Sequence, residues 1–232
     1  WLTPNATSEI SEIDYRRTDS GLEIYVSSEN TAENSRYYRW ECEETWKFSA
    51  RYRSSLIFER GQVRYRNLPE ENISVCFQQE TSSDILISTT ENFSENTVSR
   101  QQVRFIPNLS NKLMIRYSIL VKQFNISREA YSFWSILKKN SESVGDIFGS
   151  MPSELKGNVS NVANPSEPVI AMIEASLPTQ KRIYYDAFEF EKPWQVVMPY
   201  YATCEAMEVP VGEASQVFSA GSLYIPVYEI FK

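Results

Sequence analysis

The side chains with the most chemistry lie in one short run, YYRWECEETWKF, from Tyr37 to Phe48. They are three carboxylates and one thiol: Glu41, Glu43, Glu44 and Cys42. Two carboxyl groups about 5–9 Å apart in a cleft can hydrolyse a glycosidic bond, and a thiolate can act as a nucleophile. The first question is therefore whether these side chains share one face of the element that carries them.

Alternation along this run predicts a β-strand, and the parity of the strand separates its side chains into two faces. One face is charged and typical of a solvated surface: Arg39, Glu41, Glu43, Thr45 and Lys47. The other is aromatic and typical of a core: Tyr38, Trp40, Cys42, Glu44, Trp46 and Phe48. The pair Glu41 and Glu43, like Glu189 and Glu191, is therefore interpreted as a solvated pair rather than a catalytic one.

Glu44 is the exception on the aromatic face. A buried carboxylate is costly without a partner, so we expect an Arg side chain or backbone N–H groups to stabilise it. Arg104 and Arg116 are the candidate cations. Glu44, Trp40 and Trp46 are therefore predicted to be structural, in the central strand of a sheet.

The composition excludes several classes of function. The 232 residues contain no histidine, which removes Ser-His-Asp and Cys-His catalysis and the usual histidine metal sites. The net charge of −7 argues against a nucleic-acid partner. The three cysteines are far apart, so no metal cluster is expected, and no cofactor is predicted. No run of about 18 apolar residues is present, and the chain is interpreted as a soluble or mature portion of a longer protein.

The elements that position these residues are mostly strands. We expect roughly nine or ten short strands and one helix, over about residues 127–140, with Ser127 as its N-cap. Trp134 lies on the aromatic face of that helix and is predicted to pack on a sheet. The fold class is mainly β, an antiparallel sandwich or barrel with one helical insertion. Residues 1–12 are assigned to a linker or domain edge and 13–232 to a single β-rich domain.

Three segments carry specific expectations about strands. SVCFQQ (74–79) and DILISTT (84–90) are predicted to be a pair of strands joined by a Ser-rich turn. KLMIRYSILVKQFNIS (112–127) alternates, with Tyr117, Ile119 and Val121 on its core face. VIAMIEAS (169–176) is predicted to be another strand.

The motifs of the chain resemble the Bacteroidetes family called domain of unknown function 4249, over about residues 11–190. The matching positions, in order, are SEIDY at 11–15, Tyr38-Arg39-Trp40, Glu44-Thr45-Trp46, Ala130-Tyr131, Phe133-Trp134, Leu137-Lys138, Gly145, Phe148, Pro152, Leu155 and Gly157-Asn158. The chain departs from the family at Ala171, where glycine is usual, and after Cys204, where many members have a Cys- and Gly-rich ending.

The resemblance implies a compartment and a partner. Its members are outer-membrane lipoproteins with an N-terminal β-sandwich domain, which this chain lacks, and they are often encoded beside TonB-dependent transporters. It implies a periplasmic or cell-surface location, with membrane contact only through a lipid anchor absent from this chain. No catalytic residues are established for the family. In such an oxidising compartment a disulfide is allowed, with Cys76 and Cys204 as the candidate pair and Cys42 as a buried thiol.

Aromatic residues near loops are the candidate ligand-binding residues. Trp194, Tyr200 and Tyr201 lie in a segment broken by prolines, and Tyr184 and Tyr185 point to opposite faces of one strand. We expect a non-enzymatic binding subunit that works with a TonB-dependent transporter in nutrient uptake and takes a glycan or peptide ligand. The alternatives are a carboxylate-based hydrolase acting on glycans and a purely structural or adhesive module.

Overall fold

A computed structural model describes residues 8–29, 36–50, 55–72, 74–142, 155, 157–190, 194 and 196. Within these ranges the chain forms ten strands and one α-helix. In order they are β1 (Glu9–Arg17), β2 (Gly21–Glu29), β3 (Tyr37–Ser49), β4 (Leu56–Glu59), β5 (Gln62–Tyr65), β6 (Val75–Thr81), β7 (Leu86–Thr89), β8 (Thr97–Pro107), β9 (Arg116–Ile126), α1 (Arg128–Glu142) and β10 (Thr179–Asp186). Strand β1 begins within the stretch 1–12 that was assigned to a linker or domain edge.

The strands form two main antiparallel sheets and a hairpin. One sheet has the order β1-β2-β8, and the other has the order β10-β9-β3-β6, with β7 also paired to β3. Strands β4 and β5 form the separate hairpin. The apolar faces of the two sheets contribute to one core cluster, which is the arrangement of a β-sandwich. The predicted fold class, mainly β with one helical insertion, is confirmed.

Strand β3 is the central strand of the larger sheet. It pairs with β9 on one edge and with β6 and β7 on the other. Its burial alternates along its whole length, so every even-numbered residue from Tyr38 to Phe48 is buried and the odd-numbered ones are partly exposed. The predicted parity is confirmed, and the odd-numbered residues form the outer face of the five-stranded sheet.

The segments 74–79 and 84–90 do form strands, β6 and β7, but the two strands do not pair with each other. Both pair with the same edge of β3, β7 opposite Tyr37–Trp40 and β6 opposite Glu43–Ser49. Between them, the amide of Ser82 donates to the carbonyl of Cys42 at 2.8 Å. The prediction of a hairpin was wrong because β3, at 13 residues, is long enough to hold two short strands end to end.

The segment 169–176 was predicted to be a strand, and this prediction was wrong. It holds only an isolated bridge at Ser176. The side chain of Asn158 accepts from the amide of Ile173 at 2.8 Å and donates to its carbonyl at 2.7 Å, so an amide side chain replaces a neighbouring strand. Gly157 permits this approach, because a Cβ atom there would lie 1.6 Å from the carbonyl oxygen of Ala171.

Helix α1 covers one half of the outer face of the five-stranded sheet. The hydroxyl of Ser127 accepts from the amide of Ala130 at 3.1 Å, which confirms the predicted N-cap. The ring of Tyr131 lies 5.2 Å from that of Tyr37 at the start of β3. Trp134 is partly buried, and the guanidinium of Arg39 lies over its ring. The half of the outer face near Thr45 and Lys47 lies beyond these contacts.

Candidate functional site: a cationic and aromatic cleft

A cleft of about 550 Å³ lies on this second half of the outer face. Its lining comes from four strands of the five-stranded sheet, β3, β6, β9 and β10. The lining residues are 45–47, Phe77, 116–118, Arg182 and Tyr184. We call this surface the sheet-face cleft.

Strand register brings these residues together. Thr45 of β3, Ser118 of β9 and Tyr184 of β10 are direct neighbours in one row across the sheet. The adjacent row crosses four strands. Its members are Phe77, Lys47, Arg116 and Asp186. Since neighbouring strands are about 4.8 Å apart, this row spans roughly 14 Å.

The cleft exposes two large aromatic rings. Phe77 is 71% exposed and Tyr184 is 55% exposed, whereas the neighbouring Tyr185 is only 1% exposed. The two tyrosines point to opposite faces, as predicted, and the outward one is Tyr184. Sequence reasoning missed Phe77, although the alternation from buried Cys76 is the signal that places it outside.

Three cations surround these rings. The Nη1 atom of Arg182 donates to the hydroxyl of Ser118 at 2.7 Å, and the guanidinium of Arg116 lies 5.0 Å from the ring centroid of Tyr184. The ammonium of Lys47 lies 5.7 Å from the centroid of Phe77. Sequence reasoning assigned Lys47 and Arg116 no ligand role and did not single out Arg182.

The positive charge of the cleft is only partly neutralised. The Nε atom of Arg116 lies 3.3 Å from the carboxylate of Asp186. Within the described ranges, neither Lys47 nor Arg182 forms an ion pair with a carboxylate. The cleft is therefore locally basic in a chain whose net charge is −7. Guanidinium and ammonium groups beside aromatic rings suit a ligand that carries both negative charge and apolar surface.

Glu44 lies on the opposite, buried face of β3 and is fully buried. Arg104 of β8 is its predicted cation, with Nη2 2.8 Å from Oε1, and this pair links the two sheets. The prediction that Arg116 could be the cation was wrong, because Arg116 lies on the outer face beside Asp186. Sequence reasoning missed Lys112, whose Nζ lies 3.0 Å from Oε2.

Tyr117 is a further partner of Glu44 that sequence reasoning missed. Its hydroxyl donates to Glu44 Oε2 at 2.8 Å. Burial, with the negative charge of Glu44, raises the pKa of Tyr117, which keeps the hydroxyl a donor. The buried ring N–H of Trp40 also has a partner, since it donates to Gln123 Oε1 at 2.8 Å. The network therefore pairs the buried charge of Glu44 with two cations and one hydroxyl donor.

The other carboxylates of β3 pair with cations on the outer face. Glu41 lies 2.8 Å from Arg39, and Glu43 pairs with Lys122. Glu189 is exposed, and Glu191 lies outside the described residues. Among the described residues, no group of three or more histidine, cysteine or acidic side chains is arranged to hold a metal ion.

The remaining sequence candidates lie apart from the cleft or outside the described residues. Trp194 packs against the core, 6.0 Å from Tyr185 between ring centroids and 4.2 Å from the guanidinium of Arg17. Tyr200 and Tyr201 lie outside the described residues. No described helix has the length and apolar character needed to cross a bilayer.

The cysteines have different environments. Cys42 is buried and free, and burial, with the charge of Glu44, raises its pKa to about 12. Cys76 is disulfide-bonded. Its predicted partner, Cys204, lies outside the described residues, so the pairing stays a prediction.

A model of the family described as Domain of unknown function (DUF4249) matches residues 1–182. This span contains most of the cleft, including the residues from β3, β6 and β9 as well as Arg182, and ends before Tyr184. No curated protein and no solved structure matches the chain.

Proposed function

We propose that this chain, which belongs to the family described as Domain of unknown function (DUF4249), is a non-enzymatic binding subunit. We propose that it acts at the outer membrane, on the periplasmic or cell-surface side, as a lipid-anchored protein. Its proposed partner is a TonB-dependent transporter, with which it takes part in nutrient uptake. The location and the partner rest on the family resemblance, and the binding role rests on the sheet-face cleft.

The exposure of Phe77 beside Lys47, which forms no ion pair among the described residues, is the observation that carries the binding role. A phenylalanine has no polar atom, so a ring that is 71% exposed loses hydrophobic stabilisation that a partner would restore. Aromatic and arginine side chains are also the residues that dominate binding energy at protein interfaces. Phe77, Tyr184, Arg116 and Arg182 lie together on one sheet face, which is the composition of a recognition surface.

The carboxylate-hydrolase alternative requires two acidic side chains that converge in a concave site. In the part of the chain that the structure describes, the lining of the sheet-face cleft contains no Asp or Glu. The fully buried carboxylate, Glu44, contacts two cations and a tyrosine hydroxyl, which is a structural arrangement. These observations favour binding over hydrolysis, and the cleft favours binding over a purely adhesive role.

The proposal is tested by isolating the tagged full-length protein from its native membranes and identifying bound proteins by mass spectrometry. We expect a TonB-dependent transporter to co-purify. The double substitution Phe77→Ser with Tyr184→Ser should lower the recovered transporter about ten-fold, since each removed ring is a candidate hot spot. Recovery of the intact protein without any transporter would overturn the proposed partnership.

Phe93→Ser provides the matched control. Phe93 is 65% exposed, close to the value for Phe77, but its backbone carbonyl accepts from Arg36, just before the opposite end of β3. Loss of this ring should leave the recovered transporter unchanged. An equal loss from Phe93→Ser and from the cleft variant would show that the cleft is not the contact surface.

A further inference from the structure

We propose that the sheet-face cleft takes an acidic peptide segment in an extended conformation. Its carboxylates would contact Lys47, Arg116 and Arg182, and its apolar side chains would pack on Phe77 and Tyr184. This inference rests on the proposed binding function of the same cleft and names the chemical class of its ligand.

The positive charge of the cleft indicates that its ligand is an anion. Among the described residues, the ion pairs of Lys47, Arg116 and Arg182 comprise one contact, from Arg116 to Asp186 at 3.3 Å. Charges farther away than about 8 Å are largely screened at physiological ionic strength, so the local excess outweighs the net charge of the chain. A basic surface on an acidic chain therefore attracts a negatively charged ligand to this face.

The geometry of the guanidinium groups favours carboxylates. A guanidinium has five N–H donors in a planar fork that matches the two oxygens of a carboxylate. Arg182 uses Nη1 toward Ser118, and Arg116 meets Asp186 through Nε. Each therefore has further donors available for a carboxylate from a ligand.

The shape of the cleft favours a chain segment over a compact small molecule. Small molecules are usually bound in concave sites that bury most of their surface, whereas the lining of this cleft extends across four strands of one sheet face. The row from Phe77 to β10 spans roughly 14 Å, which is the length of about four extended residues. A peptide can place carboxylates over Lys47 and Arg116 on the two central strands, while its apolar side chains reach Phe77 on β6 and Tyr184 on β10. Arg182, also on β10, can contact a further carboxylate.

The exposed phenylalanine favours a peptide over an acidic polysaccharide. A sugar ring presents hydroxyl groups that need hydrogen-bond partners, and Phe77 offers none. An apolar side chain of a peptide gives up no hydrogen bond when it contacts Phe77, and the burial of its apolar surface is favourable. Acidic residues flanked by apolar ones therefore match both the charge and the apolar surface of the cleft.

The test is fluorescence polarisation of the intact chain with a labelled short peptide that has leucine at each end and alternating Asp and Glu between. We expect saturable binding that weakens as salt is raised. The analogue with Asn and Gln should bind at least about ten-fold more weakly, because it loses the charge-assisted hydrogen bonds. Equal binding of the neutral analogue would overturn the proposal.

Two pairs of variants separate the cleft from general electrostatics. Arg182→Gln and Lys47→Gln should each weaken binding about ten-fold. Arg128→Gln and Lys139→Gln change the net charge equally, on exposed residues of α1 outside the cleft, and should alter binding less than about two-fold. Equal losses in the two pairs would overturn the proposal.

A competing ligand and the co-purification experiment complete the test. If trigalacturonate binds the cleft and the acidic peptide does not, the peptide proposal is wrong and the ligand is an acidic glycan. If the transporter is lost from the Phe77 and Tyr184 variant but the acidic peptide never binds, the ligand class alone is wrong. If the peptide binds the cleft but no transporter co-purifies, the ligand class stands and the transporter partnership is wrong.

Discussion

Replacing Arg104 with methionine should destabilise the fold more than neutralising the acid that Arg104 contacts. Arg104→Met leaves the fully buried carboxylate of Glu44 with Lys112 and Tyr117 as its remaining partners. Removal of one partner from a buried ion pair costs about 3–5 kcal/mol in free energy of unfolding. Because Lys112 stays 3.0 Å from the carboxylate, we expect the lower value, about 3 kcal/mol.

Glu44→Gln should cost only about 1–2 kcal/mol, because both cations retain another partner. Arg104 lies 2.7 Å from Asp84, and Lys112 lies 2.6 Å from Glu80, so neither cation becomes an isolated buried charge. The glutamine can still accept from Tyr117. The double variant should resemble Glu44→Gln, so the coupling energy should equal the cost of Arg104→Met, about 3 kcal/mol.

Urea denaturation followed by the fluorescence of the buried Trp40 and Trp46 measures these values. For a chain of this size, 3 kcal/mol corresponds to a melting temperature lower by roughly 6–12 °C. Arg128→Met is the control, since Arg128 is 72% exposed and its pair with Glu91 should contribute less than about 1 kcal/mol. If Glu44→Gln costs as much as Arg104→Met, the buried charge is not what requires Arg104, and the reasoning is refuted.

Three further predictions follow from single contacts. Burial, with a nearby carboxylate, raises the pKa of Cys42 to about 12. A thiol reagent at pH 8 should therefore modify Cys42 only after unfolding. Rapid modification of Cys42 in the native protein would contradict this prediction. The hydrogen bond from Arg64 lowers the pKa of Glu71 to about 2, so its stabilisation is complete above about pH 4.5 and is lost as the pH falls through 2. Carboxyl NMR titration should show that midpoint, and Arg64→Gln should raise it; an unchanged midpoint would refute the pairing. Gly157→Ala should cost about 1–3 kcal/mol in urea denaturation, because the new Cβ overlaps the carbonyl of Ala171, and an unchanged unfolding midpoint would disprove the close approach.

The Glu44 network and the sheet-face cleft are on opposite faces of the same strand, which is consistent with the structural role of the first and the proposed binding role of the second. Lys47 points to the open face, whereas Glu44 and Trp46 point into the core. The buried network stabilises β3 against β8 of the other sheet, which leaves the outer residues of β3 available for binding. Variants of the network should therefore change stability, and variants of the cleft should change binding with little effect on stability.

Local patterns were sufficient to predict several elements from the sequence. The faces of β3 follow from alternation between neighbouring residues, and the start of α1 follows from Ser127 and the residues of its first turn. The burial of Glu44 follows from the same alternation. These features depend on side chains within a few positions of each other, so they are visible in the chain without its partners.

Tertiary structure decided which strands are neighbours and therefore what the outer face contains. The same alternation is compatible with many registers, so nothing local shows that β6 and β7 share one edge of β3 or that Arg104, and not Arg116, reaches Glu44. In the segment 169–176, where a strand was predicted, the side chain of Asn158 bonds the backbone of Ile173, which is 15 positions away in the sequence. Phe77, Lys47, Arg116 and Tyr184 lie on four separate strands, and only the register of the sheet places two exposed rings beside three cations.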